Sequence, residues 1–484
     1  MAKEFAWNWI SKNESQMIDV SDKVWELAEL GLVEFESSKI LTKTLEEYGF
    51  EVERGIADMP TAFVATYGSG SPVIAINGEY DALPGLSQKA IAEQEPLEEG
   101  APGHGCGHNI HGVSGMAGAI SAKMAMEKHN IKGTIKFFGC PAEETYSGKV
   151  FLVRDGYYDN VDAVLSHHAG STNTAHIGSS LAVKSAKFHF HGLTSHAAFT
   201  PEHGRSALDA LELMNVGVNF MREHVMQEAR IHYVTEKGGQ QPNIVPDYAR
   251  SWYYIRAPEM SQVDDMITWI LDIAKGASLM ARTSFEYQIL EGCSNVIPSV
   301  SLSNIVLANM REIGAPEYSR TEMDFLKKMN ESITKEAKIE FLRMTKRPDW
   351  EGFVDVLIDR TIPDPWDEGI VWAGSTDVGD VSWVTPTMEF NTATGLLGDP
   401  GHSWQTVAVC GMSIGHKSML FAAKTLAGVV IDLLTEPEQL KAVKNEFRKR
   451  LMGRKYKCPI PDNVKPPHDV AREAAKAART QESV

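Results

Sequence analysis

The chain has 484 residues, of which 43% are hydrophobic and 23% are charged, a composition typical of a globular protein with two or three domains. Its formal net charge of −17 argues against nucleic acid and anionic membranes as partners. The sequence has no apolar signal segment with a cleavage site and no uninterrupted apolar run of about 18 residues. Its five cysteines are scattered and odd in number, a pattern that does not indicate a disulfide framework. This cysteine usage predicts a cytoplasmic protein.

The first 165 residues show the alternation of helices and strands that is typical of an α/β domain. Apolar residues spaced three and four apart predict two helices between positions 11 and 50 and another over 113–129. Short apolar or alternating runs predict strands over 61–67, 73–76, 134–138 and 163–165. We therefore predict an α/β fold built on an open sheet.

Residues 185–296 have a different pattern, which predicts a separate inserted unit. The alternating stretch 187–191 is typical of an antiparallel edge strand, and a strand over 249–256 lies between two long helical stretches. A β-α-β-β-α-β order of this size predicts a ferredoxin-like lid or dimerisation domain. The catalytic domain is then discontinuous and comprises residues 1–184 and 297–484.

The chain after residue 300 is predicted to return to the first domain. Its polar and charged stretch 316–364 indicates either a helical insertion that caps the domain or simply a solvated helical face. A loop at 401–404 precedes a helix that reaches about residue 434. The tail beyond Pro459 contains three further prolines, which predicts an extended or disordered segment.

The segment Gly103–His111 is the first candidate for a functional site. It places Cys106 and His108 two residues apart among three glycines. Thiolate and imidazole are both ligands for transition metals, and glycine lets the backbone adopt positive φ close to an ion. The alternative is a glycine-rich turn with incidental histidines.

Carboxylates and imidazoles follow three of the predicted strands. Asp81, the pair Glu143-Glu144 and His168 occupy these positions, and His402 lies in the late loop. In open α/β sheets, sites are built at the carboxyl ends of the strands. Hydrolytic metal sites need N, S and O ligands together with a carboxylate base. Taken singly, these residues could form a solvated acidic turn and a hydrogen-bonded histidine.

These motifs resemble a known family, the dinuclear metallo-amidohydrolases that include aminoacylases, glutamate carboxypeptidases and auxin-conjugate hydrolases. The resemblance runs from Val24 to beyond His416 and rests on residues 105–108, 141–144, His168 and 401–403. It is strongest to the branch that hydrolyses aroyl-glutamates, through residues 78–83, 375–383 and 458–461. It implies a metallopeptidase-type α/β/α catalytic domain with an inserted ferredoxin-like α+β domain.

The resemblance also implies a role for each matching residue. Five positions match ligands of two divalent metal ions, zinc or manganese: Cys106, His108, Glu144, His168 and His402. Glu143 matches the general base, and Cys106 is expected to bridge the two ions. A thiolate ligand favours zinc because it is soft, whereas the branch it resembles makes manganese equally compatible.

Three residues of the inserted domain match substrate-binding positions. His196 matches a histidine that stabilises the developing oxyanion, often across a dimer interface. Asn243 and Arg256 match positions that grip the terminal carboxylate of the substrate, and Arg256 supplies the local cation that an anionic substrate needs.

Two departures from the family pattern leave questions open. Asn109 stands where the family often has aspartate, so the acidic orienting group is lost or is supplied by Asp81 or Asp377. His167 adjoins His168, and the register of the motif favours His168 as the ligand.

The resemblance predicts a metal-dependent amidohydrolase of N-acyl amino acids, with an aroyl-glutamate such as p-aminobenzoyl-glutamate as substrate. A dipeptidase or another acyl-amino-acid or aryl-amine hydrolase has the same chemistry. A non-catalytic partner of such an enzyme is the alternative of a different class, and the presence of Glu143 beside five candidate ligands argues against it. A homodimer or higher oligomer is expected, and a further possibility is a heteromer that contains a related A-type subunit.

Overall fold

The computed structural model describes residues 1–480. The described residues form twelve strands: β1 (Glu51–Arg54), β2 (Phe63–Ser69), β3 (Val73–Glu79), β4 (Gly133–Cys140), β5 (Ala163–Gly170), β6 (Ser179–Ser180), β7 (Ala182–His191), β8 (Arg230–Lys237), β9 (Tyr248–Ala257), β10 (Ser284–Cys293), β11 (Val371–Trp372) and β12 (Thr387–Ala393). They also form sixteen α-helices: α1 (Ala2–Lys12), α2 (Glu14–Leu27), α3 (Phe35–Glu47), α4 (His108–His129), α5 (Glu143–Tyr146), α6 (Gly148–Arg154), α7 (Ala207–Met221), α8 (Met260–Ala281), α9 (Val300–Ile313), α10 (Arg320–Met329), α11 (Lys335–Met344), α12 (Val378–Val384), α13 (Trp404–Cys410), α14 (Ser413–Thr435), α15 (Pro437–Leu451) and α16 (His468–Thr480).

A six-stranded mixed sheet forms the centre of the catalytic part, in the order β1-β2-β4-β3-β5-β12. Strands β4, β3, β5 and β12 are parallel; β2 pairs antiparallel with β4, and β1 pairs antiparallel with β2 at the edge. Side chains alternate between the two faces, so Ile74 and Ile76 pack in the core that contains α4 and α14, while Ala75 packs with α6. The predicted α/β fold is confirmed: both faces of the parallel strands are covered by helices.

The parallel strands bring the predicted site residues to one edge of the sheet. Asp81 follows β3, and Glu143 opens α5 three residues after β4. The prediction that β5 ends at Leu165 was wrong, because β5 stays paired with β12 as far as Gly170. His168 is therefore held within a strand and not in the loop beyond it.

A second sheet has the order β10-β7-β9-β8 and is antiparallel throughout. With α7 and α8 packed on one face, its β-α-β-β-α-β order is that of a ferredoxin-like unit. The prediction that 187–191 forms an edge strand was wrong, since β7 lies between β10 and β9. Its alternation arises because Phe188 and Phe190 are buried against the helices, whereas Lys187 and His189 lie on the other face. The proposed boundaries at 184/185 and 296/297 stay a prediction.

The 316–364 segment is more than a solvated face. It contains α10 and α11, and Leu326, Met329 and Leu342 are buried. The tail beyond Pro459 was predicted to be extended or disordered, but residues 468–480 form α16, whose Ala471 is buried. Alanine, glutamate, lysine and arginine in this stretch favour helix. The last part of that prediction, residues 481–484, lies outside the described residues.

Helix α14 is the one described helix that is long and apolar enough to cross a membrane. In the structure, 72% of its most apolar window is buried inside the protein. It packs with α4 in the main core, so its apolar character is that of a core helix.

Candidate metal centre

The glycine-rich segment is a tight turn that delivers its ligands from the start of α4. This helix begins at His108, five residues before the predicted start, and Gly107 caps it with a φ of 77°. A Cβ on Gly107 would lie 2.8 Å from the Cβ of Ala169 and 3.1 Å from the Sγ of Cys410. Only glycine fits this contact, which holds Cys106 against the end of β5.

Cys106, His108 and His168 form one group of candidate metal ligands. Their ligand atoms lie within 4.8 Å of one another, and the Sγ of Cys106 is 3.4 Å from the Nε2 of His168. Burial opposes ionisation of the Cys106 thiol, but His168 and His108 outweigh it and hold its pKa well below its usual range. The thiolate is the form that binds metals.

Glu144 joins this group to the late histidine. Its Oε1 lies 3.8 Å from the Nε2 of His108 and 3.4 Å from the Nε2 of His402. The side chain of His402 is 57% exposed, and it sits on a left-handed backbone with a φ of 42°. Burial, and then the nearby Cys106, raise the pKa of Glu144 to about 8. All five predicted ligands therefore come together around Glu144 and Cys106.

Glu143 lies beside this cluster on the first turn of α5. One of its carboxylate oxygens is within 4.8 Å of the ligand atoms of His108 and Glu144. Its pKa is raised well above its usual range, first by burial and then by the charges of Glu79 and Asp377. The backbone turns sharply at Ala142, with a φ of 59°, just before the two glutamates.

Two buried atoms show that the cluster fits a metal. The Nε2 of His108 and the Oε1 of Glu144 are buried, and neither forms a hydrogen bond in the described structure. Unsatisfied buried polar atoms cost free energy unless something pairs with them. A set of imidazole, thiolate and carboxylate ligands suits zinc or a similar divalent transition metal.

Asp81 contacts two of the candidate ligands. Its Oδ1 accepts a hydrogen bond from the Nδ1 of His108 at 2.8 Å, and its Oδ2 accepts the backbone N–H of Glu144 at 3.0 Å. With a proton on Nδ1 for this contact, the lone pair of Nε2 is available to a metal ion. Of the alternatives that the sequence left open, Asp81 is therefore the residue in contact with His108.

Asn109 and Asp377 contact other groups. The side-chain amide of Asn109 donates to the Oγ of Ser21 and to the carbonyl oxygen of Cys410, both at 3.1 Å. Asp377 forms an ion pair with Lys149. Neither side chain contacts His108 among the described contacts.

A buried charge network that the sequence did not reveal supports the cluster. The Nζ of Lys149 lies 2.6 Å from a carboxylate oxygen of Glu79 and 2.6 Å from one of Asp377. Glu79 also accepts from the Nδ1 of His111 at 3.0 Å, and the Nε2 of His111 accepts the backbone N–H of Ala169 at 2.7 Å. The network thus ends on the residue next to His168. In the sequence, Glu79 lies within the 78–83 stretch that carries the resemblance, but nothing there indicated its pairing with Lys149.

The structure distinguishes His167 from His168. Both ring nitrogens of His167 are engaged, with Nδ1 2.8 Å from the Oγ of Ser114 and Nε2 2.7 Å from the Oγ1 of Thr392. His168 donates from Nδ1 to the carbonyl oxygen of Ala169 at 2.6 Å, and its Nε2 faces Cys106. Of the two histidines, His168 is thus the one whose Nε2 faces the other candidate ligands.

We expect His168→Ala to lower the amount of bound metal and His167→Ala to leave it unchanged. Removing one ligand weakens a site directly, whereas removing a buried hydrogen-bonded histidine acts on stability. Elemental analysis of the two purified proteins after dialysis, together with their thermal midpoints, makes the comparison. A loss of metal in His167→Ala alone would reverse the assignment.

The three substrate-binding candidates, of which Arg256 lies in β9 and the other two lie in loops, are outside the cluster. His196 is exposed, and its Nδ1 accepts the backbone N–H of Phe199 at 3.1 Å. The backbone N–H of Ala197 donates to the carbonyl oxygen of Asn243 at 3.0 Å, so the loops that carry His196 and Asn243 lie side by side. Arg256 donates to the Oγ of Ser375 at 3.1 Å. Among the described residues, the metal-ligand groups include none of these three.

Comparison with known proteins agrees with this geometry. The sequence pattern of "Peptidase family M20/M25/M40" matches residues 75–477. The chain belongs to this family. Named relatives hydrolyse amide or peptide bonds, and this chain is a hydrolase of that class.

Two curated relatives of the M20 chain cover most of its length. The B-type subunit of p-aminobenzoyl-glutamate hydrolase from Escherichia coli (strain K12) is 39% identical over 471 residues, which is 94% of this chain and 97% of that protein. Xaa-Arg dipeptidase of Mus musculus is 27% identical over 452 residues, which is 89% of each chain.

Solved structures share the fold at low sequence identity. The aminobenzoyl-glutamate utilization protein of Klebsiella pneumoniae has a TM-score of 0.58 at 17% identity, and the match covers 88% of this chain and 97% of that chain. A Bacillus subtilis protein described as a dinuclear metal-binding peptidase of the M20 family has a TM-score of 0.57 at 16% identity, with 88% and 99% covered. The predicted catalytic fold with an inserted domain is confirmed by these neighbours.

Proposed function

We propose that this M20 chain is a metal-dependent amidohydrolase that cleaves p-aminobenzoyl-glutamate or a closely related aroyl-glutamate into an aromatic acid and glutamate. The observation that carries the proposal is the placement of Glu143 beside five clustered ligands, since a protein that only binds has no need of that carboxylate. The 39% identity with the B-type subunit of p-aminobenzoyl-glutamate hydrolase supports the substrate.

We propose that the cluster would hold two divalent metal ions, with Cys106 as a candidate ligand of both. Cys106 takes part in two of the ligand groups, one with His108 and His168 and one with Glu144 and His402. When bound, the ions would polarise the amide carbonyl and lower the pKa of a water molecule. The thiolate favours zinc, and elemental analysis of protein prepared with zinc or with manganese decides between them.

Residues of the chain carry out proton transfer, substrate binding and stabilisation of the developing negative charge. Glu143 takes a proton from the attacking water and delivers it to the nitrogen of the departing glutamate. Arg256 and Asn243 bind the terminal carboxylate, because a guanidinium pairs with a carboxylate in a bidentate manner. His196 donates to the oxygen on which negative charge develops.

We propose a homodimer in which His196 acts on the partner's site. His196 is exposed and lies apart from the cluster in its own chain, and Leu193, Phe199 and Ile244 around it are exposed by 58%, 85% and 43%. Helix α7 presents a second apolar row through Val216 and Phe220. Exposed apolar patches of this kind mark protein interfaces.

Mixing two inactive variants tests this arrangement. We expect His196→Ala and Glu143→Ala each to be inactive, and a 1:1 mixture whose protomers have exchanged to recover about a quarter of the wild-type rate, since half the dimers hold one complete site. Activity is measured before and after the exchange. If His196 acts within its own chain, the mixture stays inactive.

A screen of substrates tests the reaction itself. Purified, metal-loaded protein is incubated with p-aminobenzoyl-glutamate, N-acetyl-glutamate and Xaa-Arg dipeptides, and the released amine is measured. The dipeptides test the second candidate, dipeptidase activity, which the 27% identity to Xaa-Arg dipeptidase favours.

The same assay tests whether the chain needs a related A-type subunit for activity. An A-type homolog of the hydrolase from Haemophilus influenzae is 25% identical over 57% of this chain, so such a protein is added to the reaction. Activity that appears only in the mixture would support a heteromer.

We place the protein in the cytoplasm, because its five cysteines are free thiols.

A further inference from the structure

A cavity of about 290 Å³ opens directly beside the metal centre. Cys106, His168 and His402 line it, and its lining also includes the apolar side chains of Phe341, Pro400 and Val409. An apolar cavity of about 150 Å³ is enough for a benzene ring. This cavity therefore has room for a substituted ring attached to a carbonyl group at the metal centre.

Phe341 comes from the 316–364 segment, which sits on the loop that carries His402. The backbone N–H of Leu397 donates to the carbonyl oxygen of Leu357 at 2.7 Å, and the side chain of Gln405 donates to the Oγ of Ser332 at 3.1 Å. These contacts connect the segment to both sides of His402.

Close packing fixes α11 on the same loop. A Cβ on Gly398 would lie 2.9 Å from the Cγ of Lys338, so only glycine allows the loop to lie against α11. The Nζ of Lys338 donates to the carbonyl oxygen of Val356 at 2.5 Å, and Leu342 is buried. These contacts hold the helix that carries Phe341 against the loop, and Phe341 lines the cavity as a half-buried side chain.

The charge of the cavity indicates which half of a substrate it takes. Asp399 is the only carboxylate among the described residues that line it, and that lining contains no lysine or arginine. A carboxylate repels the two carboxylates of glutamate and accepts N–H donors. The acidic half of the substrate therefore belongs on the side of Arg256, and the neutral acyl half belongs in this cavity.

We propose that Phe341, supplied by the 316–364 segment, is a specificity-determining residue whose ring packs on the aromatic acyl group of the substrate in the cavity beside the metal centre. The proposal rests on the proposed function and adds the acyl pocket to it. Aromatic rings that pack in an offset or edge-on arrangement contribute beyond their buried area. The segment thus selects aromatic over small aliphatic acyl groups.

The test compares two substrates on Phe341→Ala. We expect kcat/KM for p-aminobenzoyl-glutamate to fall at least about tenfold, chiefly through KM, and that for N-acetyl-glutamate to change by less than about twofold. Phe341→Tyr keeps the ring and should retain the wild-type preference. Met344→Ala lies on the same helix with 65% exposure and should match the wild type with both substrates.

Bound metal and the thermal midpoint are measured for every variant. An equal loss with both substrates, or an unchanged preference, would overturn the role of Phe341. If the wild type hydrolyses neither substrate, the proposed function fails, and binding of 4-aminobenzamide to the metal-loaded protein, followed by NMR, tests the cavity separately. Binding by the wild type that is weakened in Phe341→Ala supports the acyl pocket, and equal or absent binding overturns it.

Discussion

Glu143→Gln is expected to abolish amide hydrolysis while keeping the metal. The variant preserves the shape of the side chain but cannot accept a proton, and loss of a general base costs about two to four orders of magnitude in rate. The five ligands are untouched, so the metal content should equal that of the wild type. The measurement pairs kcat on p-aminobenzoyl-glutamate with elemental analysis of the same preparation.

The neighbouring glutamate provides a matched control. Glu144→Gln is the same chemical change one residue along, but Glu144 contacts His108 and His402. We expect this variant to lose metal as well as activity. Near-normal turnover in Glu143→Gln, or loss of metal in Glu143→Gln with retention in Glu144→Gln, would show that the two roles are wrongly assigned.

The clustering of the candidate ligands could be predicted in part because it follows local rules. Periodicity located β3, β4 and β5, and parallel strands place their carboxyl ends at one edge of a sheet. Asp81, Glu143 and His168 were brought together by this rule alone. The choice of His402 and the roles of His196 and Asn243 needed the resemblance to a family, since no local pattern connects them with the cluster.

What the sequence could not show are pairings between distant buried groups. Lys149 lies in α6 among apolar residues, and its partner Asp377 is 228 residues further along the chain. A lone lysine in an apolar helix is ordinarily solvent-exposed, so nothing marked it. The interior place of β7 was missed for a related reason: alternation reports one buried face and says nothing about neighbouring strands.

The 316–364 segment shows the same limit. Its charged residues indicated a solvated helical face or a cap, and the sequence could not decide between them. The decision comes from contacts with a distant loop, such as the hydrogen bond between Gln405 and Ser332, which are 73 residues apart. Those contacts place Phe341 beside the metal ligands, where no periodicity argument would have put it.

Lys149→Met is expected to destabilise the fold by about 3–5 kcal/mol, the cost of breaking a buried ion pair and leaving its partners uncompensated. Glu79 and Asp377 would lose an ammonium group 2.6 Å from each. The free energy of unfolding from urea titration measures the effect. Lys39→Met removes an exposed pair with Glu36 and should leave the urea midpoint nearly unchanged.

The destabilisation should also depend on pH in a defined direction. In the wild type, burial raises the pKa of Glu79, but Lys149 is first among the groups that outweigh it and hold that pKa well below its usual range. Without Lys149, burial would raise the folded-state pKa values of both carboxyls above those of the unfolded chain. Such groups penalise folding above the unfolded-state pKa, and the penalty disappears when they are protonated. The loss of stability in Lys149→Met should therefore be larger at pH 8 than at pH 5, and a loss independent of pH would mean that packing, not charge, is the role of Lys149.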